Sequence, residues 1–165
     1  MKPKTVGRDY GQSPVQAQHL ITGVMPGSII LTLDGEMPVE HLVPGDRVIT
    51  RNTGMAVLRD IRRTQITTRA VRIMAGSLGD TRPDRDVIIP HNQPVLVRDW
   101  RAKALFGLQQ TTVWAGALID DEFIEDMGEI TMDILSLYFD APHVLYIDGL
   151  ELAGQVIDEA QANAA

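Results

Sequence analysis

Residues 23–51 read GVMPGSIILTLDGEMPVEHLVPGDRVITR, and the fold is decided in this stretch. A short run of β-branched and apolar residues, SIILTL (28–33), is closed by Asp34-Gly35, a dipeptide that favours the tight turn of a β-hairpin. Farther on, Pro44 presets φ for the first corner of a turn and Gly45 tolerates positive φ at the second, so DRVITR (46–51) reads as the next strand. Turn chemistry therefore recurs too often for helices to fit between the turns, and the stretch is β.

The same grammar continues outward. The runs AVLRDI, AVRIMAG, DVIIP, PVLVRD, TTVWAG, ITMDILSLYF and HVLYIDG are nearly all bounded by Gly, Pro, Asn or Asp. Many short strands at close spacing predict an all-β sandwich, barrel or folded ribbon. RAKALFGLQ and AGALID read as single helical turns between strands. GSLGDTRPDRD (76–86) is polar, with two glycines and a proline, and is expected to be an exposed loop. Leu152, Val156 and Ile157 recur at helical spacing, which predicts a short helical or frayed tail over 155–165. Residues 1–18 are polar and offer little to bury, so they read as a flexible arm. The β domain is then assigned to 19–154.

At 165 residues the chain can bury a core of its own. The absence of cysteine removes disulfides, thiolate metal sites and thiol nucleophiles. With 15 basic against 22 acidic residues the net charge is −7, which predicts repulsion from nucleic acid and anionic membrane. Neither an apolar leader nor a spanning stretch follows the N-terminal lysines, and a cytoplasmic location is the expectation. His19, His41, His91 and His143 show no metal-ligand spacing, so neither a metal nor another cofactor is expected.

Three blocks carry a family resemblance. The first is 23–51 as quoted, the second PHNQPVLVRDWRAKALFG (90–107), and the third FDAPHVLYIDGLELAG (139–154). In this order they are similar to the Hint (hedgehog/intein) family, in its compact bacterial form. The resemblance implies an all-β horseshoe of hairpins, with short helical turns and the helical tail appended. It also implies autoprocessing, in which a Cys or Ser at the first position attacks the preceding carbonyl. A His in the second block protonates the leaving nitrogen, assisted by a Thr or Ser.

Carried over residue by residue, these roles fall on groups that lack the chemistry. Gly23 stands at the nucleophile position and has no attacking atom. Pro90 stands where the Thr or Ser belongs, and Gln93 where the His belongs; an amide exchanges no proton near neutrality. The cyclising Asn of intein-type release is absent from ELAGQV, and Asn163 lies well beyond the block. The expectation is a catalytically inactive domain kept as a binding or structural module, with a protein partner.

Two alternatives stand beside it: residual self-cleavage near residue 22, or a structural subunit of a larger assembly. Residual catalysis would fall to Thr22, one residue out of register, or to water, with His91 or His143 as proton carrier. The plain reading of both histidines is strand-edge residues with local partners. DDEFIED (120–126) reads either as a cation site or, more simply, as a solvated tip. Trp100 and Trp114 are expected to cap the core rather than stack on a ligand.

Overall fold

The computed structural model describes residues 21–79 and 81–157, and the 1–18 arm lies outside them. Among the described residues twelve strands appear: β1 (Ile29–Thr32), β2 (Gly35–Pro38), β3 (Arg47–Thr50), β4 (Gly54–Val57), β5 (Asp60–Ile73), β6 (Val87–Pro90), β7 (Pro94–Val97), β8 (Thr111–Trp114), β9 (Ile124–Phe139), β10 (Val144–Ile147), β11 (Leu150–Ala153) and β12 (Gln155–Val156). One helix, α1 (Trp100–Phe106), and two single 3-10 turns (Val39–His41, Ala115–Leu118) interrupt them. The all-β expectation holds, and the two inserted helical turns fall on α1 and the second 3-10 turn.

The turns sit where the sequence placed them. Thr32 pairs with Gly35 across the Asp34-Gly35 corner, and Gly35 has φ +104°. Asp46 N donates to Val43 O across Pro44-Gly45, with Gly45 at φ +102°. An eight-stranded sheet runs β2-β1-β3-β10-β11-β7-β8, with β4 added on β3, and a four-stranded sheet runs β12-β9-β5-β6. Ile30, Leu58, Ile73, Ile89, Ile124, Phe139 and Leu145 fill the core between them and are essentially inaccessible.

The long β5–β9 ribbon is weakly apolar over its middle, where exposed and half-buried positions alternate. Cross-strand pairs hold it instead: Thr67 and Thr131 hydroxyls at 2.7 Å, Arg63–Asp133 at 3.1 Å and Arg69–Asp126 at 2.7 Å. Each such pair contributes about 0.2–1 kcal/mol. The register slips by one residue at Ala70/Val71, leaving Met127 without an opposite number beside Gly128; at this bulge β5 turns from alternating exposure to buried Ala70, Val71 and Ile73, the last facing buried Ile124.

Three expectations need correction. The tail is not helical through Leu152, Val156 and Ile157: Leu152 lies in β11, and Gln155–Val156 pair in parallel with Tyr138–Phe139 on an otherwise open edge of β9. An unpaired ladder edge outweighs a helical spacing of three apolar residues, two of them β-branched. Residues 158–165 lie outside the described part. The 76–86 loop is not simply exposed, since Leu78 and Pro83 are buried. Trp100 and Trp114 do not cap the core; both project into solvent.

Candidate functional site

The Pro26-Gly27 turn, closed by Ser28 N donating to Met25 O, swings residues 22–24 onto β9. There Val24 N donates to Leu135 O at 3.1 Å and Leu135 N to Val24 O at 2.7 Å. The peptide bond that a residue at position 23 would attack, Thr22–Gly23, is thereby fixed. Its carbonyl oxygen accepts a hydrogen bond from the buried Ser136 hydroxyl at 2.5 Å. The Thr22 side chain is buried too, and its Oγ1 accepts from Gln155 Nε2 at 2.6 Å.

Gly23 is required here by space. A Cβ built on it would stand 2.4 Å from Leu135 O and 2.8 Å from Leu135 C, closer than non-bonded atoms approach. Its φ lies outside the left-handed region, so the backbone conformation itself is open to any residue. The place of any side chain at position 23 is therefore occupied by the main chain of β9.

Gln93 lies beside it, buried at the start of β7. Its Nε2 donates to Pro94 O (3.0 Å) and Ala153 O (3.1 Å), which uses both amide hydrogens. Gly23 and Gln93 share a cavity of about 20 Å³ whose remaining walls are mainly Val24, Leu135, Leu145 and Leu152. That volume holds at most a single water molecule. No external peptide fits it. A second concavity, about 200 Å³, lies on the outer side of the same turn, where Arg85 donates to Gly27 O and Asp148.

The structure thus brings Thr22, Gly23 and Gln93 together, with Pro90 touching Gln93 through its main chain, and leaves His91 and His143 apart. Pro90 ends β6 opposite Ala70 and gives its carbonyl to Gln93 N. His91 turns the other way: its ring stands so close over Gly116 that a Cβ there would overlap it, and the charges nearest it are Arg69 and Asp126. His143 Nδ1 sits 3.2 Å from Thr53 Oγ1, and its ring meets Phe139 edge-on, which itself packs on Gly154 at the cavity rim. Asp120, in the acidic run, accepts from the N–H groups of Glu122, Phe123 and Ile124 through one oxygen. Ser136 and Gln155 were missed by sequence reasoning. A lone hydroxyl inside the apolar run DILSLYF was the available signal for Ser136, since a buried hydroxyl needs a partner.

Burial, and then the positive charge of Arg69, hold His91 below its ordinary pKa, with Asp126 partly opposing. The folded state thus binds fewer protons than the unfolded chain once pH drops toward about 6.5, so stability present above that value is lost as pH falls. Denaturant midpoints measured at pH 7.5 and 5.5 should decline, and His91→Gln should flatten that part of the profile.

A family model for the Hint domain matches residues 22–154. Among solved structures, a bacterial intein-like domain from Clostridium thermocellum superposes with TM-score 0.55 at 16% identity, covering 82% of this chain and 99% of that one. A DnaB intein from Synechocystis sp. PCC 6803 gives 0.52 at 11% identity, covering 82% and 99%. The TvoVMA intein gives 0.52 at 12%, covering 80% and 96%. No curated protein matches the chain. The match spans most of the chain, and the chain belongs to the Hint domain family.

Proposed function

We propose that this Hint domain does not process its own chain and instead serves as a binding or structural module that keeps its N-terminal flank attached. The observation that carries the reading is the Leu135 carbonyl, which takes the space of any side chain at position 23. Acyl transfer needs a lone pair within reach of the carbonyl carbon, and glycine supplies none. Gln93 supports the same conclusion: its hydrogens are held by two main-chain carbonyls, and protonation of a leaving nitrogen needs a group that titrates. What persists of an acyl-transfer site is one donor, Ser136, on the Thr22 carbonyl oxygen. A polarised carbonyl without an attacking group is stable.

The rival reading is self-cleavage by the Thr22 hydroxyl on the carbonyl of Ile21. Thr22 Oγ1 is buried and near-ideal in its contact with Gln155, which keeps the rival worth testing. Neither His91 nor His143 is directed at it, so neither takes its proton.

Intact-mass measurement on freshly purified full-length protein, repeated after a day at 37 °C, tests both. A single species of full mass is expected. Loss of residues 1–22 would overturn the proposal, and loss of residues 1–21 would establish the Thr22 route.

A further inference from the structure

Charge is unevenly distributed around β11. Glu151 is only 2% exposed, yet Arg82 Nη1 (2.6 Å), Arg98 Nε (2.8 Å) and Arg51 Nη1 (3.1 Å) all converge on it. Arg59, Arg63, Arg69 and Arg85 by contrast each face a carboxylate of their own. Three guanidiniums against one carboxylate leave a local excess of two positive charges on a chain whose net charge is −7.

This basic cluster lies at the foot of the excursion that carries α1. Arg98 immediately precedes it, and Arg51 reaches Gln110 on its far side at 3.4 Å. The excursion buries only Arg101 and Ala102 of its helix, while Trp100 (65%), Leu105 (56%) and Leu108 (50%) stand in solvent, with Lys103 exposed among them. An acidic tip stands next to it, because Arg101 Nη2 comes within 3.6 Å of Asp120. That tip exposes Asp121, Glu122 and Phe123, and the three N–H groups bound by Asp120 fix its shape.

We propose that this face is where two copies of the chain meet, the basic, apolar excursion of one against the acidic, Phe-bearing tip of the other. Because the two halves of the contact are neighbours on one molecule, a twofold axis lets each copy supply both. Apolar side chains form the centre and the opposite charges the rim, the usual anatomy of a protein contact. A tip already held by its own hydrogen bonds loses little freedom on docking. An anionic membrane fits less well: the chain carries a net charge of −7, and the acidic tip stands directly beside the basic excursion. The inference is independent of whether the domain cleaves.

Sedimentation velocity on the full chain from about 1 to 100 μM, the range in which modest contacts register, should show a monomer giving way to a dimer and to nothing larger. Leu105→Asp and Leu108→Asp should remain monomeric at the highest concentration with unchanged melting temperatures. Lys103→Glu and Glu122→Lys should each raise the dimer dissociation constant by about tenfold or more, as like charges are brought together. An equimolar mixture of those two variants pairs opposite charges at both contacts and should recover the native value. A wild-type chain that stays monomeric, a dimer indifferent to the leucine variants, a mixture without recovery, or growth to open assemblies would each overturn the proposal. Monomer that co-sediments with phosphatidylserine vesicles would overturn it in favour of a membrane.

Discussion

Glu151→Ala is expected to lower the unfolding free energy by about 3–5 kcal/mol, the range for removing one partner of a buried ion pair. The mechanism is the loss of the one carboxylate that Arg51, Arg82 and Arg98 share. Arg51 is close to Oε1 but off the hydrogen-bonding direction, so that oxygen is held by charge alone, while Arg82 Nε is buried with no acceptor. Without Glu151, three guanidiniums would repel one another around β11. Glu151→Gln keeps the shape and loses the charge; a loss as large as that of alanine would show that electrostatics, not packing, dominates. Whole domains hold only about 5–15 kcal/mol, so Glu151→Ala should be largely unfolded at moderate urea. Urea midpoints with unchanged slopes are the measurement, and a change below about 0.5 kcal/mol, the usual surface value, would refute the role.

Gly23→Cys is the second. It restores the attacking atom that the family position calls for, and it should nevertheless yield a destabilised and uncut protein. Its Cβ would meet the Leu135 carbonyl at 2.4 Å, and backbone cannot swing aside as a flexible side chain does. Relief requires lifting residues 22–24 from β9 and breaking the two Val24–Leu135 hydrogen bonds. Overpacking and two lost hydrogen bonds together cost about 2–4 kcal/mol. Gly23→Ala should cost nearly as much, which separates the steric effect from any thiol chemistry. The double variant Gly23→Cys, Gln93→His supplies nucleophile and proton carrier at once and is expected to stay whole for the same steric reason. Native-like stability of Gly23→Cys in urea, or a shortened product from it by mass, would show that β9 yields readily.

Much of the architecture was legible because turn residues act locally. Asp34-Gly35 and Pro44-Gly45 impose their corners whatever the rest of the chain does, and the strands between them follow. The ribbon was harder to read. RRTQITTR in β5 has little apolar signal because its stability comes from partners on β9, such as Asp133 and Thr131, that are remote in sequence. The tail was misread for a related reason: Gln155–Val156 became a strand only because β9 offered an edge. At the site, the residue types at positions 23, 90 and 93 could be read one by one and set against what the resemblance implies. That β9 fills the gap at Gly23, and that Ser136 and Gln155 grip Thr22, are contacts between distant segments that no local pattern encodes.

The contact between Thr22 and Gln155 also has a mechanical side. The incoming and outgoing segments lie against the same β9, joined at 2.6 Å, so the two ends of the described domain are adjacent threads. Tension applied to both would first load the few ladder bonds at Leu135 and Phe139 rather than the body beneath. A host carrying this domain in a surface loop would find its own ends scarcely pushed apart.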